Sequence, residues 1–239
     1  MWSLGDESCT LFHPADHQRA GHIRSPVPYR NLIIRTHSNY LLGVLIVNGA
    51  GGVGSVAIQI ARRILNLPVV IATAGRRETT SFCEEMGATH IVNHREDLVK
   101  QVSDLNLDVP VKYIFLTNST KDYLAPATEI CAPFGKICSV VQTKEFPQYG
   151  TPMMAKSLTF VWELLGTKPW YGVDTASHGW MLEELAGLLD KGEIKCHHTQ
   201  SFSLDVKGLR EAHEKIESGG SVGKNGLGVT LAGEGGAFQ

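Results

Sequence analysis

The sequence predicts an α/β protein in which a parallel β-sheet is covered by helices on both faces. Three observations predict it. From Leu41 onward, apolar runs of strand length alternate with segments whose apolar residues recur at i, i+3, i+4 and i+7. The strand-like runs are apolar throughout rather than alternating, as strands buried on both sides require. Between the first run and the first helix stands a glycine-spaced turn, Gly49-x-Gly51-x-x-Gly54, where a doubly wound sheet passes from strand to helix.

Each element follows in order. Residues 41–48 (LLGVLIVN) form the first strand. Val53, Val56, Ala57, Ile60, Ala61 and Ile64 mark one face of the first helix. VVIAT (69–73) is the second strand, and a helix from about Glu78 to Met86 stops at Gly87. HIVN (90–93) and YIFLT (113–117) are the third and fourth strands. A short helix near Leu124–Ile130 and the turn APFG lead to KICSVV (136–141), the fifth. SLTFVWELL (157–165) is a sixth. Ser177 is placed to cap a helix carrying Met181, Leu182, Leu185, Leu188 and Leu189, which ends before Gly192. HHTQSFSL (197–204) alternates weakly, a helix over Leu209–Ile216 closes at Gly219, and LGVTL (227–231) is a last strand. Residues 1–40 differ: Pro14, Pro26 and Pro28 interrupt a stretch without period, which predicts poor order.

Composition narrows the function. The 22 basic and 24 acidic residues leave a net charge of −2, which gives no reason to expect a nucleic-acid partner or a membrane surface. Five scattered cysteines suggest neither a disulfide framework nor a paired zinc site. The N-terminus lacks a basic start and an apolar run, and no stretch approaches the roughly 18 apolar residues of a spanning helix. The expected location is the cytoplasm, and the expected partner a small molecule.

The glycine turn carries the chemistry. Gly49 is expected to permit the tight turn, Gly51 to let a diphosphate approach the backbone, and Gly54 to let helix pack on strand. Amides at the helix start would hold the phosphates. Together with the βα order around it, the turn predicts a dinucleotide-binding fold of the Rossmann type. An acidic residue at the end of the second strand would select NAD. This strand exits instead through Gly75, Arg76 and Arg77, and guanidinium groups suit a ribose 2′-phosphate. The expected cofactor is therefore NADPH rather than NADH. Asn93 and His94 follow the third strand, at the carboxyl edge where ligands bind in such sheets.

Adjacent residues of Cys196–His198 point to opposite faces of a strand, so no zinc is expected there. Cys131 and Cys138 fit a core better than a ligand set. SGGSVGKN has Ser218 where a P-loop has its first glycine and Asn225 where it has Ser or Thr.

Read together, VNGAGGVGSVAIQIAR, VVIATAGRRET, EMGATHIVNHRED, CAPFGKICSV, KSLTFVWELL and IESGGSVGKN resemble the zinc-type alcohol dehydrogenase-like branch of the medium-chain dehydrogenase/reductase superfamily, with quinone oxidoreductases and enoyl reductases as near kin. The resemblance covers roughly residues 41–231. It implies hydride transfer between NADPH and a quinone, an enal or enone, or a carbonyl. Position by position, it places Gly51, Gly52, Val53 and Gly54 at the pyrophosphate loop and Arg76 at the 2′-phosphate, with Gly75 in place of a usual serine. It places Asn93 and His94 as a strand-exit pair, Thr117 and Asn118 toward the nicotinamide, and Lys224 in a glycine–lysine segment near the cofactor.

Members of this superfamily carry a β-rich, GroES-like substrate domain before the glycine loop. Here only LGDE (4–7) resembles part of it. The resemblance thus implies a remnant over 1–40, a Rossmann domain over 41–193, and a segment over 194–239 that returns to the substrate domain and leaves an apolar face partly uncovered. No residue is assigned a catalytic role. Three readings compete: a truncated, weakly active reductase; a non-catalytic NADPH-binding module; and an inactive gene fragment. A homodimer is one way to rebuild the cleft.

Overall fold

A computed structural model describes residues 42–145 and 150–229. The expectations for residues 1–40, Leu4–Glu7 and Cys9 among them, lie outside the described residues, as does the end of LGVTL.

Six strands form one parallel sheet: β1 (Gly43–Val47), β2 (Val69–Thr73), β3 (His90–Val92), β4 (Val111–Leu116), β5 (Lys136–Ser139) and β6 (Thr159–Trp162). Their order is β3-β2-β1-β4-β5-β6. The chain works outward from β1 in one direction, then crosses back to β4 and proceeds in the other. The doubly wound Rossmann architecture follows. β1 is central and buried along its whole length, with Leu45 in register with Ile71 on one side and Ile114 on the other.

Strand alternation sorts the apolar residues into two cores. Val44, Ile46, Val70 and Ala72 face α1 (Gly54–Gln59) and α2 (Arg77–Met86), meeting Ala57, Ile58, Cys83 and Met86. Leu45, Val47, Ile71 and Ile114 face α3 (Leu98–Asp104) and α4 (Thr120–Ile130), meeting Leu98, Val102, Leu124 and Ala127. The first helix continues past Gln59 as a π-helical turn over Ile60–Ile64, closed by the Leu65 amide on the Ile60 carbonyl at 2.9 Å.

Several elements differ from expectation. α3 was not anticipated. Its start depends on a local cap, the Asp97 carboxylate accepting from the Lys100 amide at 3.0 Å. α4 begins at Thr120, ahead of Leu124, and α5 (Gly150–Ala155) and α6 (Thr167–Tyr171) add short helical turns. α7 (Ala176–Asp190) starts one residue before Ser177. Ser177 is therefore no cap: it is buried, donates to the Asp174 carbonyl at 2.8 Å and accepts from Lys168 Nζ at 2.6 Å.

The chain then makes a small second βαβ unit: β7 (His198–Ser203), α8 (Val206–Glu217) and β8 (Lys224–Gly228), with the two strands parallel. β8 starts three residues before the expected strand, because Lys224 and Asn225 pair with His198 and Gln200. This unit is fastened to the large sheet. Buried Gln59 accepts from the Lys195 amide at 2.7 Å and donates to its carbonyl at 3.0 Å, and the Gly223 amide donates to the Ala50 carbonyl at 2.8 Å.

Candidate functional site

The turn leaving β1 is pinned to β2. The Asn48 amide donates to Thr73 Oγ1 at 2.8 Å and the Gly49 amide to the Thr73 carbonyl at 3.1 Å. The left-handed residue of this turn is Asn48, at φ 62°, and Gly49 has no positive φ. The expectation that Gly49 frees the turn is thus corrected. Its missing side chain is needed because a Cβ would lie 2.7 Å from Ala72 Cβ. Gly54 behaves as expected: a Cβ there would stand 2.2 Å from the Asn48 carbonyl oxygen, so only glycine lets the helix sit on the turn. At Gly52 a Cβ would meet Lys224 Cε at 2.1 Å. The bare backbone is what admits the lysine.

Over the carboxyl ends of β1, β2 and β3 lies a cleft of about 770 Å³, closed on the far side by the segment from Ile216 to Asn225. It brings together Gly51, Gly52, Arg76, His94, Asn118 and Lys224. The other expected site residues do not line it. Gly49 and Gly54 serve packing. Val53 opens the helix, 49% exposed, outside the cleft. Thr117 donates to the Val47 carbonyl at 2.7 Å and ties the end of β4 to β1. Asn93 organises the turn after β3.

Arg76 precedes α2 in extended conformation, its amide donating to Thr79 Oγ1 at 3.1 Å. Its Nη1 reaches across the cleft to the Gly219 carbonyl at 2.8 Å. Arg77 is exposed and outside the lining. The His94 ring lies against Gly75, where a Cβ would fall 2.6 Å from Cε1. Glycine at 75 thus makes room for the imidazole. Burial, then the charges of Arg95 and Arg76, hold His94 below its ordinary value. His197 is lowered by burial and then by Lys224.

Sequence reasoning missed Arg95, Asn48, Tyr123, Ile216 and Asn225, all in the lining. Arg95 was readable as a second cation at the exit of β3; Ile216 and Asn225 arrive only through long-range folding. Among the described residues that line the cleft none is a carboxylate. Among the described residues no group of three His, Cys, Asp or Glu side chains could hold a metal, and no helix is long and apolar enough to cross a membrane. Cys131 and Cys138 are buried in the core, the Cys131 thiol pushed up to about 11 by burial.

Comparison with known proteins agrees with this geometry. The family model described as zinc-binding dehydrogenase matches residues 52–175, just over half of the chain. A zinc-type alcohol dehydrogenase-like protein of Staphylococcus aureus (strain COL) is 39% identical over 183 residues, 76% of this chain and 53% of that protein. The chain spans about half the length of the curated relatives it matches. Among solved structures, a Rhizobium etli CFN 42 protein assigned as a zinc-dependent alcohol dehydrogenase aligns with TM-score 0.72 and 34% identity, over 79% of this chain and 55% of that one. The Escherichia coli quinone oxidoreductase complexed with NADPH shares the fold, with TM-score 0.64 and 24% identity over 81% of this chain and 59% of that one. With its doubly wound sheet, its glycine turn and the matched family model, the chain belongs to the zinc-binding dehydrogenase family of oxidoreductases.

Proposed function

We propose that this chain binds NADPH in the cleft above β1–β3 and serves hydride transfer to a quinone, an enal or enone, or a carbonyl. The observation that carries the reading is Arg76 at the exit of β2, in a cleft with no carboxylate among its described lining residues. An NAD-selecting site would present an acid there.

The residues present fit the cofactor. Gly51 and Gly52 offer bare backbone to a diphosphate; the Gly51 and Ser55 amides already donate within the turn, to the Asn48 and Gly51 carbonyls at 3.1 and 3.0 Å, which leaves the other amides at the helix start to meet it. Lys224 brings an ammonium group to the same loop. Arg76 spends one N–H on Gly219 and keeps the rest of its five donors for a phosphate. Asn118 stands on the β4 side of the cleft, where the doubly wound order reverses. Bound NADPH supplies the hydride; the protein supplies position and charge.

Calorimetric titration with NADPH and NADH tests the reading. NADPH should bind more tightly, and Arg76→Ala should weaken it by about 10- to 100-fold, the worth of charge-assisted hydrogen bonds, with NADH little changed. Equal affinity for both cofactors, unmoved by Arg76→Ala, would refute it. NADPH oxidation with quinones, enals and aldehydes then separates a reductase from a binding module without turnover.

A further inference from the structure

We infer that Arg95 is the second cation of the ribose 2′-phosphate subsite, and that Asn93 is a positioning residue that holds it there rather than a cofactor ligand. The inference rests on the NADPH reading above and adds to it the residues that set the preference for the phosphorylated ribose.

Arg76, His94 and Arg95 line one end of the cleft. Arg76 leaves β2 and the other two leave β3, so the strands' parallel pairing brings them side by side. Among the described residues, neither arginine forms an ion pair with a carboxylate. Two guanidinium groups beside an imidazole repel one another; after burial, the charges of Arg95 and then Arg76 also disfavour the protonated form of His94. An incoming phosphomonoester, carrying about −1.5 to −2 charges at neutral pH, removes that repulsion. It also accepts the forked N–H donors that guanidinium groups present.

The turn bearing Arg95 is built rather than loose. Asn93 Oδ1 accepts from the Arg95 amide at 3.1 Å, and Asn93 Nδ2 donates to Glu96 Oε1 at 2.7 Å. The Asn93 amide donates to Gln101 Oε1 at 2.8 Å, and Gln101 Nε2 returns a bond to the Asn93 carbonyl at 2.9 Å. Every polar group of Asn93 is thus engaged within the turn. The side chain bonds inward to the turn and does not line the cleft, and its conformation sets the backbone from which Arg95 projects.

The test is a double-mutant cycle on the full chain, reading the ratio of NADPH to NADH affinity by calorimetry, with thermal melts to confirm folding. Arg95→Ala should lower the ratio about tenfold, as the loss of a charge-assisted contact does, and flatten the salt dependence of NADPH binding. Arg95→Lys should recover part of it. Asn93→Ala should lower the ratio in the wild-type background but cause no further loss in Arg95→Ala, because it acts through the arginine. An unchanged ratio in Arg95→Ala, with Arg76→Ala still lowering it, would overturn this inference and leave the NADPH reading standing. Additive losses from Asn93→Ala and Arg95→Ala would overturn the positioning role. A ratio unmoved by Arg76→Ala as well would remove the NADPH reading itself.

Discussion

Two glycines show how neighbours set the sign of the same substitution. At Gly54 a new Cβ would stand 2.2 Å from the Asn48 carbonyl oxygen. Backbone cannot move aside as a flexible side-chain end can, so Gly54→Ala should destabilise by about 2 kcal/mol through overpacking and weaken NADPH binding with it. At Gly187, inside α7, a Cβ would meet nothing within 4 Å. Gly187→Ala should stabilise by about 0.5–1 kcal/mol, the helix-propensity difference. Denaturant midpoints at constant m-value check both signs.

Elements are joined at a few defined points, and Gln59 is one of them. It sits on the first helix, fully buried, and satisfies both the amide and the carbonyl of Lys195 as the chain leaves α7 for β7. Gln59→Leu keeps the bulk but removes both bonds to the backbone of Lys195, which are part-buried at an exposed residue, at a cost of about 1–3 kcal/mol in total. The expected outcome is a lower denaturant midpoint and faster amide exchange over 194–229, together with weaker NADPH binding. The last follows because α8 and β8 supply the cleft's far wall. Unchanged exchange in that segment would count against this fastening.

For the molecule as a whole, two histidines contribute to the pH dependence of stability. His94 and His197 are both held below the ordinary imidazole value of 6.5, chiefly by desolvation. Between their lowered folded values and 6.5 the unfolded chain binds more protons than the folded one. Stability therefore falls as the pH drops through that window and is flat with respect to these groups above it. Unfolding free energies measured from about pH 7 to about pH 5 should decline, and the double variant His94→Gln/His197→Gln should decline less. An identical slope in the variant would refute the assignment. Apolar side chains also stand in solvent on the same half of the chain, Trp170 being 84% exposed and Val206 77%.

The sheet was legible in the chain because its evidence is local. Strands buried on both faces must be apolar end to end, so VVIAT and KICSVV announce themselves without reference to any partner. The glycine turn and Arg76 were legible for the same reason: spacing and strand exit are properties of neighbouring residues. α3 escaped although its signals are local, an Asp97 cap and Leu98, Val102 and Leu105 at helical spacing, because the helix is only seven residues long, and Ser177 misled because a serine suited to capping can equally be buried and bonded back to the turn before the helix. Lys224 was expected near the cofactor only through the family resemblance, and folding alone added Ile216 and Gly219 to the cleft. Ile216, Gly219 and Lys224 lie far along the chain from Gly52 and Arg76, yet the Gly223–Ala50 bond and the Arg76–Gly219 bond bring them together. Closure of that kind depends on backbone groups meeting across more than a hundred residues, and such groups are the same at every position, so no residue pattern records the meeting.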